Sequence, residues 1–238
     1  MTPTEPDLTV RLAGPDDAAA IADLYTAARV AAVPQMPPAL HTNDEDRAWM
    51  AARLADGSHE AWVAERAGRL LGYALVSPVW LDHLFVHPDH LGEGVGTVLL
   101  DLVKSVRPAG FSLWVFESNA GARRFYARHG LVELERTDGT ANEEQAPDVR
   151  MAWPGEDPLG FYRGLIDEVD DQLGDLLARR AALTAAVQAH KGDPTRDVRR
   201  EDDIAAALAR RAPALGHARV ARILDAIITE SLDAATEL

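Results

Sequence analysis

The sequence contains no cysteine among its 238 residues. This excludes disulfide bonds, zinc sites built on thiolates and cysteine nucleophiles, and it is compatible with a reducing cytosol. The chain also has no apolar run of about 18 residues, and its start lacks the basic stretch and the apolar core of an export signal. We therefore expect a cytoplasmic protein that does not cross a membrane.

Positive charge is scarce relative to negative charge. The chain has 24 Lys and Arg residues against 38 Asp and Glu residues, which gives a formal net charge of -14. The electrostatic field of a chain with this net charge repels nucleic-acid phosphates and anionic lipid. We therefore expect neither nucleic acid nor a membrane surface as a partner. Any anionic ligand would need a local basic pocket.

Aromatic residues make up only 6% of the chain, whereas 47% of its residues are hydrophobic. This composition is typical of a soluble globular protein that is rich in helix, and the length predicts two compact units of about 150 and 80 residues. Strand and helix patterns mix up to residue 153, and only helical periodicity follows. We predict domains at 1–153 and 160–238, with the proline- and glycine-containing segment 154–159 as a linker.

The first domain has a mixed α/β pattern. Its predicted order is strand, helix, helix, three strands, helix, strand, helix and a last strand near residues 131–136. No internal repeat is present. After residue 159 the sequence predicts three helices, so the fold class is an α/β domain followed by an all-α domain.

A glycine loop lies between a strand and a helix in the segment from Leu84 to Thr97. Gly92, Gly94 and Gly96 allow backbone N–H groups to approach a pyrophosphate, and the helix that follows adds its positive end. The fingerprints of a dinucleotide-binding fold and of a P-loop are both absent. The pattern V-x-P followed by x-G-x-G-x-G resembles the acetyl-CoA motif of the GNAT superfamily of N-acetyltransferases.

A second motif begins at Asn119 and reads N-A-G-A-R-R-F-Y-A-R-H-G-L. It resembles the N-x-x-A-x-x-F-Y-x-x-x-G-F motif of the same family, and the resemblance covers residues 7–153. It implies acetyl-CoA as cofactor, Asn119 near the pantetheine arm and Tyr126 as the general acid that protonates the leaving thiolate. The implied cofactor-binding residues are Phe85, Val86, Leu91, Gly92, Glu93, Gly94, Val95, Gly96, Thr97, Asn119 and Tyr126.

The general base and the acetyl acceptor are less closely defined. Asp82 is the best placed candidate for a catalytic base, because strand alternation groups it with Leu84 and Val86. A surface charge is the alternative interpretation of Asp82. The acidic segment 142–148 could close an acceptor pocket or form a solvated loop, and the acceptor amine is left open.

An arginine interrupts the apolar seam of the first C-terminal helix. Arg180 follows Ile166, Val169, Leu173 and Leu176 at heptad-like spacing, and a lone charge there costs stability unless it is paired or binds a ligand. Lys191 lies about 16 Å further along the helix, so both side chains can converge on one ligand. Arg163 lies roughly 25 Å before Arg180 on a different face and must serve another site.

These residues resemble the all-helical type II chorismate mutases, whose three-helix chains dimerise by intertwining a long first helix. The match covers Pro158 to about Ala234 and implies the rearrangement of chorismate to prephenate, with no cofactor and no metal. The implied catalytic residues are Arg163, Arg180, Lys191 and Glu201. The implied substrate-binding residues are Arg163, Arg180, Lys191, Asp197, Arg200, Glu201 and Ser231.

Each of these residues has an implied role in the family. Arg180 and Lys191 bind a carboxylate and the ether oxygen, and Ser231 lies near a carboxylate. The residues around the ring hydroxyl are Asp197, Arg200 and Glu201. Arg163 reaches the partner protomer's site. The first helix, about 45 Å long, also exceeds the width of an 80-residue globule, so we expect a homodimer.

One residue departs from the mutase pattern. Ala235 stands where the family usually has Gln or Glu donating to the ether oxygen, and losing such a donor costs a factor on the order of 100 in rate. The prediction is therefore a bifunctional acetyltransferase and chorismate mutase. The alternatives for the helical domain are 4-amino-4-deoxychorismate rearrangement, isochorismate pyruvate elimination, or a non-catalytic dimerisation or regulatory role.

Overall fold

The computed structural model describes residues 7–190 and 196–236, and the chain forms two compact units that meet between Tyr162 and Arg163. The first unit mixes strands and helices, and the second is helical. The last strand of the first unit ends at Trp153, and a helix begins at Pro158, inside the segment predicted as a linker.

The first unit contains two antiparallel sheets. The first sheet consists, in order, of β1 (Thr9–Leu12), β2 (Glu60–Arg66), β3 (Arg69–Val76) and β4 (Leu81–Val86). The second consists, in order, of β5 (Phe111–Phe116), β7 (Asp148–Trp153) and β6 (Val132–Arg136). An isolated parallel bridge between Trp80 and Ser112 links the two sheets just before β4 begins.

The prediction that no strand follows residue 136 is wrong. Strand β7 is the central strand of the second sheet, and it places Val149 and Met151 in the core. Arg150 lies between them, as strand alternation requires, on the other face of the sheet. Its guanidinium carbon lies 4.8 Å from the centroid of the Trp80 ring, so a cation–π contact accommodates the charge on the sheet face.

Four helices flank these sheets, namely α1 (Ala18–Ala31), α2 (Asn43–Asp56), α3 (Val95–Val106) and α4 (Ala120–Arg128). Two buried clusters hold the unit together, one around Leu99, Phe111 and Met151 and the other around Ile21 and Tyr73. Helix α2 begins at a capping box. Thr42 Oγ1 accepts from the Glu45 N–H, and the Glu45 carboxylate accepts from the Thr42 N–H.

The second unit contains α5 (Pro158–His190) from Arg163 onward, α6 (Val198–Arg211) and α7 (Gly216–Thr236). Asp197 caps α6 by accepting a hydrogen bond from the Arg200 N–H at 3.0 Å. The buried core is small and comes from α6 and α7 alone, through Ala205, Leu224 and Ile228. No residue of α5 is buried. None of the helices in the described ranges is long and apolar enough to span a membrane.

Candidate active sites

The larger cavity of the first unit has a volume of about 740 Å³ and is lined by parts of α1, β4, α3 and α4. Gly92 and Gly94 border it with φ angles of 84° and 85°. Only glycine adopts this left-handed region without strain, so the loop depends on both residues. Gly94 is also the N-cap of α3, and the free N–H groups of the first turn of α3 therefore lie at the cavity.

Nearly all the predicted cofactor-binding residues line this cavity. They are Phe85, Val86, Leu91, Gly92, Gly94, Val95, Gly96, Thr97, Asn119 and Tyr126. Glu93 does not line it. The Glu93 carboxylate instead accepts a hydrogen bond from Arg66 at 2.8 Å and lies 3.0 Å from His90 Nδ1. Both contacts lower the pKa of Glu93, and the bond from Arg66 has the larger effect.

Two further groups at the cavity were not predicted. Arg128 and His129 lie at the end of α4, and Arg128 supplies a potential cationic contact for a phosphate. They occupy variable positions of the second motif, so the motif itself gave no signal for them.

Tyr126 lies in α4 with only 8% of its surface exposed. Burial raises the pKa of Tyr126 above the usual range of a phenol, so the hydroxyl stays protonated at neutral pH. Asn119 caps the same helix, with its Oδ1 accepting from the Ala122 N–H at 3.1 Å. The cap fixes the start of the helix that presents Tyr126 to the cavity, which suits a proton donor.

A smaller cavity of about 360 Å³ also borders α1 and β4. Tyr25, Asp46, Trp49, His83 and Glu143 are among its lining residues. Glu143 belongs to the acidic segment 142–148, which therefore borders a cavity instead of forming only a solvated loop. The next residue, Glu144, accepts from the buried side chain of Arg29 at 3.1 Å and ties this segment to α1.

Asp82 lines neither cavity. In the pairing of β3 with β4, Leu75 lies opposite His83 and Val76 lies opposite Leu81, which leaves Asp82 unmatched in a β-bulge. The strict alternation that grouped Asp82 with Leu84 breaks at this bulge. The Asp82 carboxylate lies 3.7 Å from Nε2 of His59, and the neighbouring His83 is the residue that reaches a cavity.

The helical unit has a cavity of about 360 Å³ of its own. Four of the predicted residues line it, namely Arg180, Asp197, Arg200 and Glu201. Ser231 is buried and lies beside them. Its Oγ accepts from Arg180 Nη1 at 2.7 Å, and the same Nη1 donates to the Ile227 carbonyl at 3.2 Å. Ser231 therefore orients the arginine that interrupts the apolar seam.

Arg196 also lines this cavity and was not predicted. Its guanidinium forms ion pairs with Glu201 at 2.7 Å and with Asp225 at 2.6 Å. These contacts hold the Glu201 carboxylate in place. The position of Arg196, directly before the capping residue Asp197, was the only signal for it in the sequence.

One of the two remaining predicted residues stands apart from this cavity. Arg163 is exposed on α5 and does not line it. Lys191 lies outside the described residues. Among the residues that the structure describes, no group of three His, Asp or Glu side chains is arranged to hold a metal ion.

Comparison with known proteins agrees with this geometry. Residues 19–131 match the model of the acetyltransferase (GNAT) family. An uncharacterised N-acetyltransferase of Archaeoglobus fulgidus is 31% identical over 112 residues, which cover 40% of this chain and 72% of that protein. The chain belongs to the GNAT family. Residues 162–235 match the chorismate mutase type II model, so this GNAT protein also carries a domain of a second enzyme family.

Two other curated relatives of this GNAT protein are matched over a smaller share of their length. An N-acetyltransferase of Methanocaldococcus jannaschii, also uncharacterised, is 30% identical over 38% of this chain and 46% of its own. A phosphinothricin N-acetyltransferase of Alcaligenes faecalis is 32% identical over 40% of this chain and 53% of its own. The chain thus spans about half the length of these two relatives.

Solved structures show the same fold in the GNAT domain. A GCN5-related N-acetyltransferase of Rhodopseudomonas palustris is 26% identical, with a TM-score of 0.51 over 65% of this chain and 98% of that one. The protein yncA of Salmonella typhimurium, solved with its cofactor acetyl-CoA, is 23% identical, with a TM-score of 0.50 over 62% of this chain and 93% of that one.

Proposed function

We propose that the GNAT domain transfers an acetyl group from acetyl-CoA to the amine of a small molecule. The observation that carries this proposal is the cavity of about 740 Å³, which brings the glycine loop and Tyr126 together. The yncA protein holds acetyl-CoA as its cofactor, and the Alcaligenes relative is named for a small amine acceptor. We also propose a cytoplasmic setting, with which the absence of cysteine from the 238 residues is compatible.

The residues at the cavity suit this transfer. Acetyl-CoA would supply a thioester whose C–S bond breaks as the new C–N bond forms. The N–H groups at Gly92, Gly94 and Gly96 and the first turn of α3 would bind its pyrophosphate. Tyr126 would donate its proton to the sulfur. Asp82, the base predicted from the sequence, would need an intervening group to reach the amine, because its carboxylate lines neither cavity.

Hydrogen exchange tests the cofactor assignment. Addition of acetyl-CoA is expected to slow amide exchange in residues 91–97, because their N–H groups would donate to phosphate oxygens instead of water. Mass spectrometry with and without acetyl-CoA measures this, and the exposed segment 167–175 of α5 serves as the internal control. Unchanged exchange in 91–97 at saturating acetyl-CoA would contradict the proposed cofactor.

We also propose that the helical domain rearranges chorismate to prephenate. The reaction needs no nucleophile, only a site that holds two carboxylates and stabilises charge on the ether oxygen. Arg180, Arg196 and Arg200 face one small cavity in a chain of net charge -14, which supports a dianionic ligand there. Ala235 leaves the two related substrates, the 4-amino and the iso analogues, as alternatives.

The domain is further proposed to form a homodimer through α5. The helix is 33 residues long, about 50 Å, and its apolar residues are exposed. They include Leu159 at 59%, Ile166 at 57%, Val169 at 60%, Leu176 at 60% and Leu183 at 60% exposure. Because α6 and α7 bury no residue of α5, a second copy is the natural cover for this stripe.

The position of Arg163 supports a site shared between two chains. It lies 17 residues before Arg180 on α5, roughly 25 Å away, so the two arginines of one chain cannot hold the same small ligand. Arg163 of one protomer would instead reach the cavity of the other.

Mixing two inactive variants tests the shared site. Arg163→Ala and Arg180→Ala homodimers are each expected to lose chorismate turnover, whereas mixed dimers contain one intact site of two. Random pairing makes half of the dimers mixed, so activity after co-refolding should return to about a quarter of wild type. Prephenate formation measures it, and light scattering at micromolar concentration checks the dimer. A monomer, or no recovery of activity, would contradict the shared site.

A further inference from the structure

We infer that the 360 Å³ cavity beside β4 binds the acetyl acceptor, and that it selects a cationic amine that carries no carboxylate. This inference rests on the proposed acetyl transfer and specifies its second substrate. It is carried by the position, the charge and the aromatic lining of the cavity.

The cavity lies next to the proposed cofactor site. On β4, His83 lines the smaller cavity while Leu84, Phe85 and Val86 line the larger one. On α1, Tyr25 lines the smaller cavity and Ala28, one turn later, lines the larger one. The Tyr25 and Phe85 rings meet edge to face at 5.0 Å between the two spaces. An amine in the smaller cavity would therefore lie beside the larger one, with the Tyr25 and Phe85 rings between them.

The charge of the smaller cavity is negative. Three carboxylates line it, from Glu45, Asp46 and Glu143, and no Lys or Arg side chain does. His41 also lines it, with its Nε2 3.0 Å from the Glu143 carboxylate, and this bond raises the pKa of His41 and offsets the charge of Glu143. Bonds from Thr42, above all from its backbone N–H, lower the pKa of Glu45 and keep it ionised. Asp46 is partly buried, and no ion pair to it is formed by the described residues 7–190 and 196–236. A partly buried carboxylate of this kind favours a cation as its partner.

Three flat rings form one wall of the cavity. His83 stacks on Tyr25 with centroids 5.2 Å apart, and Trp49 stacks on His83 at 5.4 Å. Burial lowers the pKa of His83 to about 4, so the imidazole is neutral at physiological pH and does not repel a cation. The other side of this ring bonds to the Tyr73 hydroxyl through Nδ1 at 2.8 Å, which fixes its orientation. The Arg53 guanidinium carbon lies 5.2 Å from the centroid of the Trp49 ring, so Trp49 is left to contact the apolar part of an amine through its ring edge.

This lining discriminates against amino acids. A carboxylate next to the amine would enter a space with three acidic side chains and no Lys or Arg, in which His41 is already paired with Glu143, and like charges there disfavour binding. An amine without that carboxylate keeps the attraction to Asp46. The relative that is named for phosphinothricin, an amino acid, would thus differ from this chain in its acceptor.

The test compares two probes that differ only in the carboxylate, 2-phenylethylamine and phenylalanine. Isothermal calorimetry measures their binding to the full chain, with and without saturating CoA. We expect 2-phenylethylamine to bind at least about tenfold more tightly than phenylalanine. Asp46→Asn should reduce the affinity for 2-phenylethylamine about tenfold and leave that for phenylalanine equal or improved. Asp44→Asn removes the same charge two residues away, at a side chain that is 93% exposed, and should change neither affinity.

Equal or tighter binding of phenylalanine, binding of neither probe, or an Asp46→Asn variant that binds like Asp44→Asn would each overturn the inference. Acetyl-CoA binding is measured in the same instrument. A lack of acetyl-CoA binding would contradict the proposed acetyl transfer. Acetyl-CoA binding without amine selectivity would contradict only the acceptor assignment.

Discussion

The Arg180→Ala variant is expected to lose chorismate turnover by a factor on the order of 100 or more. Arg180 is the charged residue in the apolar seam of α5, and its guanidinium lines the helical cavity while Ser231 and the Ile227 carbonyl hold one nitrogen in place. A preorganised cation that meets a substrate carboxylate contributes more to the transition state than a mobile one, because the cost of orienting it has already been met. Prephenate formation from chorismate measures the loss.

Arg179→Ala is the matched control for that variant. It removes the same charge from the same helix at an exposed position that does not line the cavity, so turnover should stay near wild type. Ala235→Gln would restore an amide at the position where the mutase family donates to the ether oxygen, and turnover should rise. If Arg180→Ala leaves turnover unchanged with chorismate and with its 4-amino and iso analogues, the helical site is assigned wrongly.

The cofactor cavity could be predicted from the sequence because its determinants are local. A pyrophosphate loop needs glycines in a row before a helix, and Gly92 and Gly94 adopt the left-handed φ that this spacing indicates. Glu93 was included with them since it lies between two such glycines. Which way its side chain turns depends on Arg66, 27 residues earlier in β2, and the local pattern contains no information on that partner.

The acceptor side could not be predicted in the same way, because it is assembled from distant segments. Asp46 comes from α2, His83 from β4 and Glu143 from the segment before β7. The prediction for Asp82 assumed strict alternation along the strand. A β-bulge at Asp82 breaks that alternation, and the next residue, His83, is the one that lines a cavity. A bulge follows from the pairing of two strands, so one strand read alone does not reveal it.

In the helical domain, too, residues in a local sequence pattern could be predicted, whereas residues that depend on distant contacts could not. The heptad spacing around Arg180 identified a cavity residue, since both the seam and the interruption lie on one helix. Arg196 was missed because its importance comes from contacts across to Asp225 and Glu201. The spacing of Arg163 and Arg180 along α5 was enough to predict that Arg163 cannot bind a ligand in the cavity of its own chain.

The Tyr126→Phe variant is expected to lower kcat for acetyl transfer by about 100-fold, with little change in the KM for acetyl-CoA. The ring stays, so the packing of Tyr126 against Phe125, whose centroid lies 5.3 Å away, is retained. The hydroxyl proton is what the variant lacks, and it is needed only as charge develops on the sulfur in the transition state. Release of free thiol from acetyl-CoA, with 2-phenylethylamine as acceptor, measures the rate.

The pH profile of kcat tests Tyr126 as the proton donor. Burial raises the pKa of Tyr126, so the donor form persists at every pH below the ordinary phenol value of about 10. The wild-type kcat should rise as the acceptor amine loses its proton and should show no alkaline fall up to about pH 10. Tyr126→Phe should have a lower kcat throughout this range, while Tyr162→Phe, which lies outside both cavities, should keep the wild-type profile. A Tyr126→Phe variant with a wild-type kcat would assign the proton to another group, and one with a raised KM alone would make Tyr126 a binding residue.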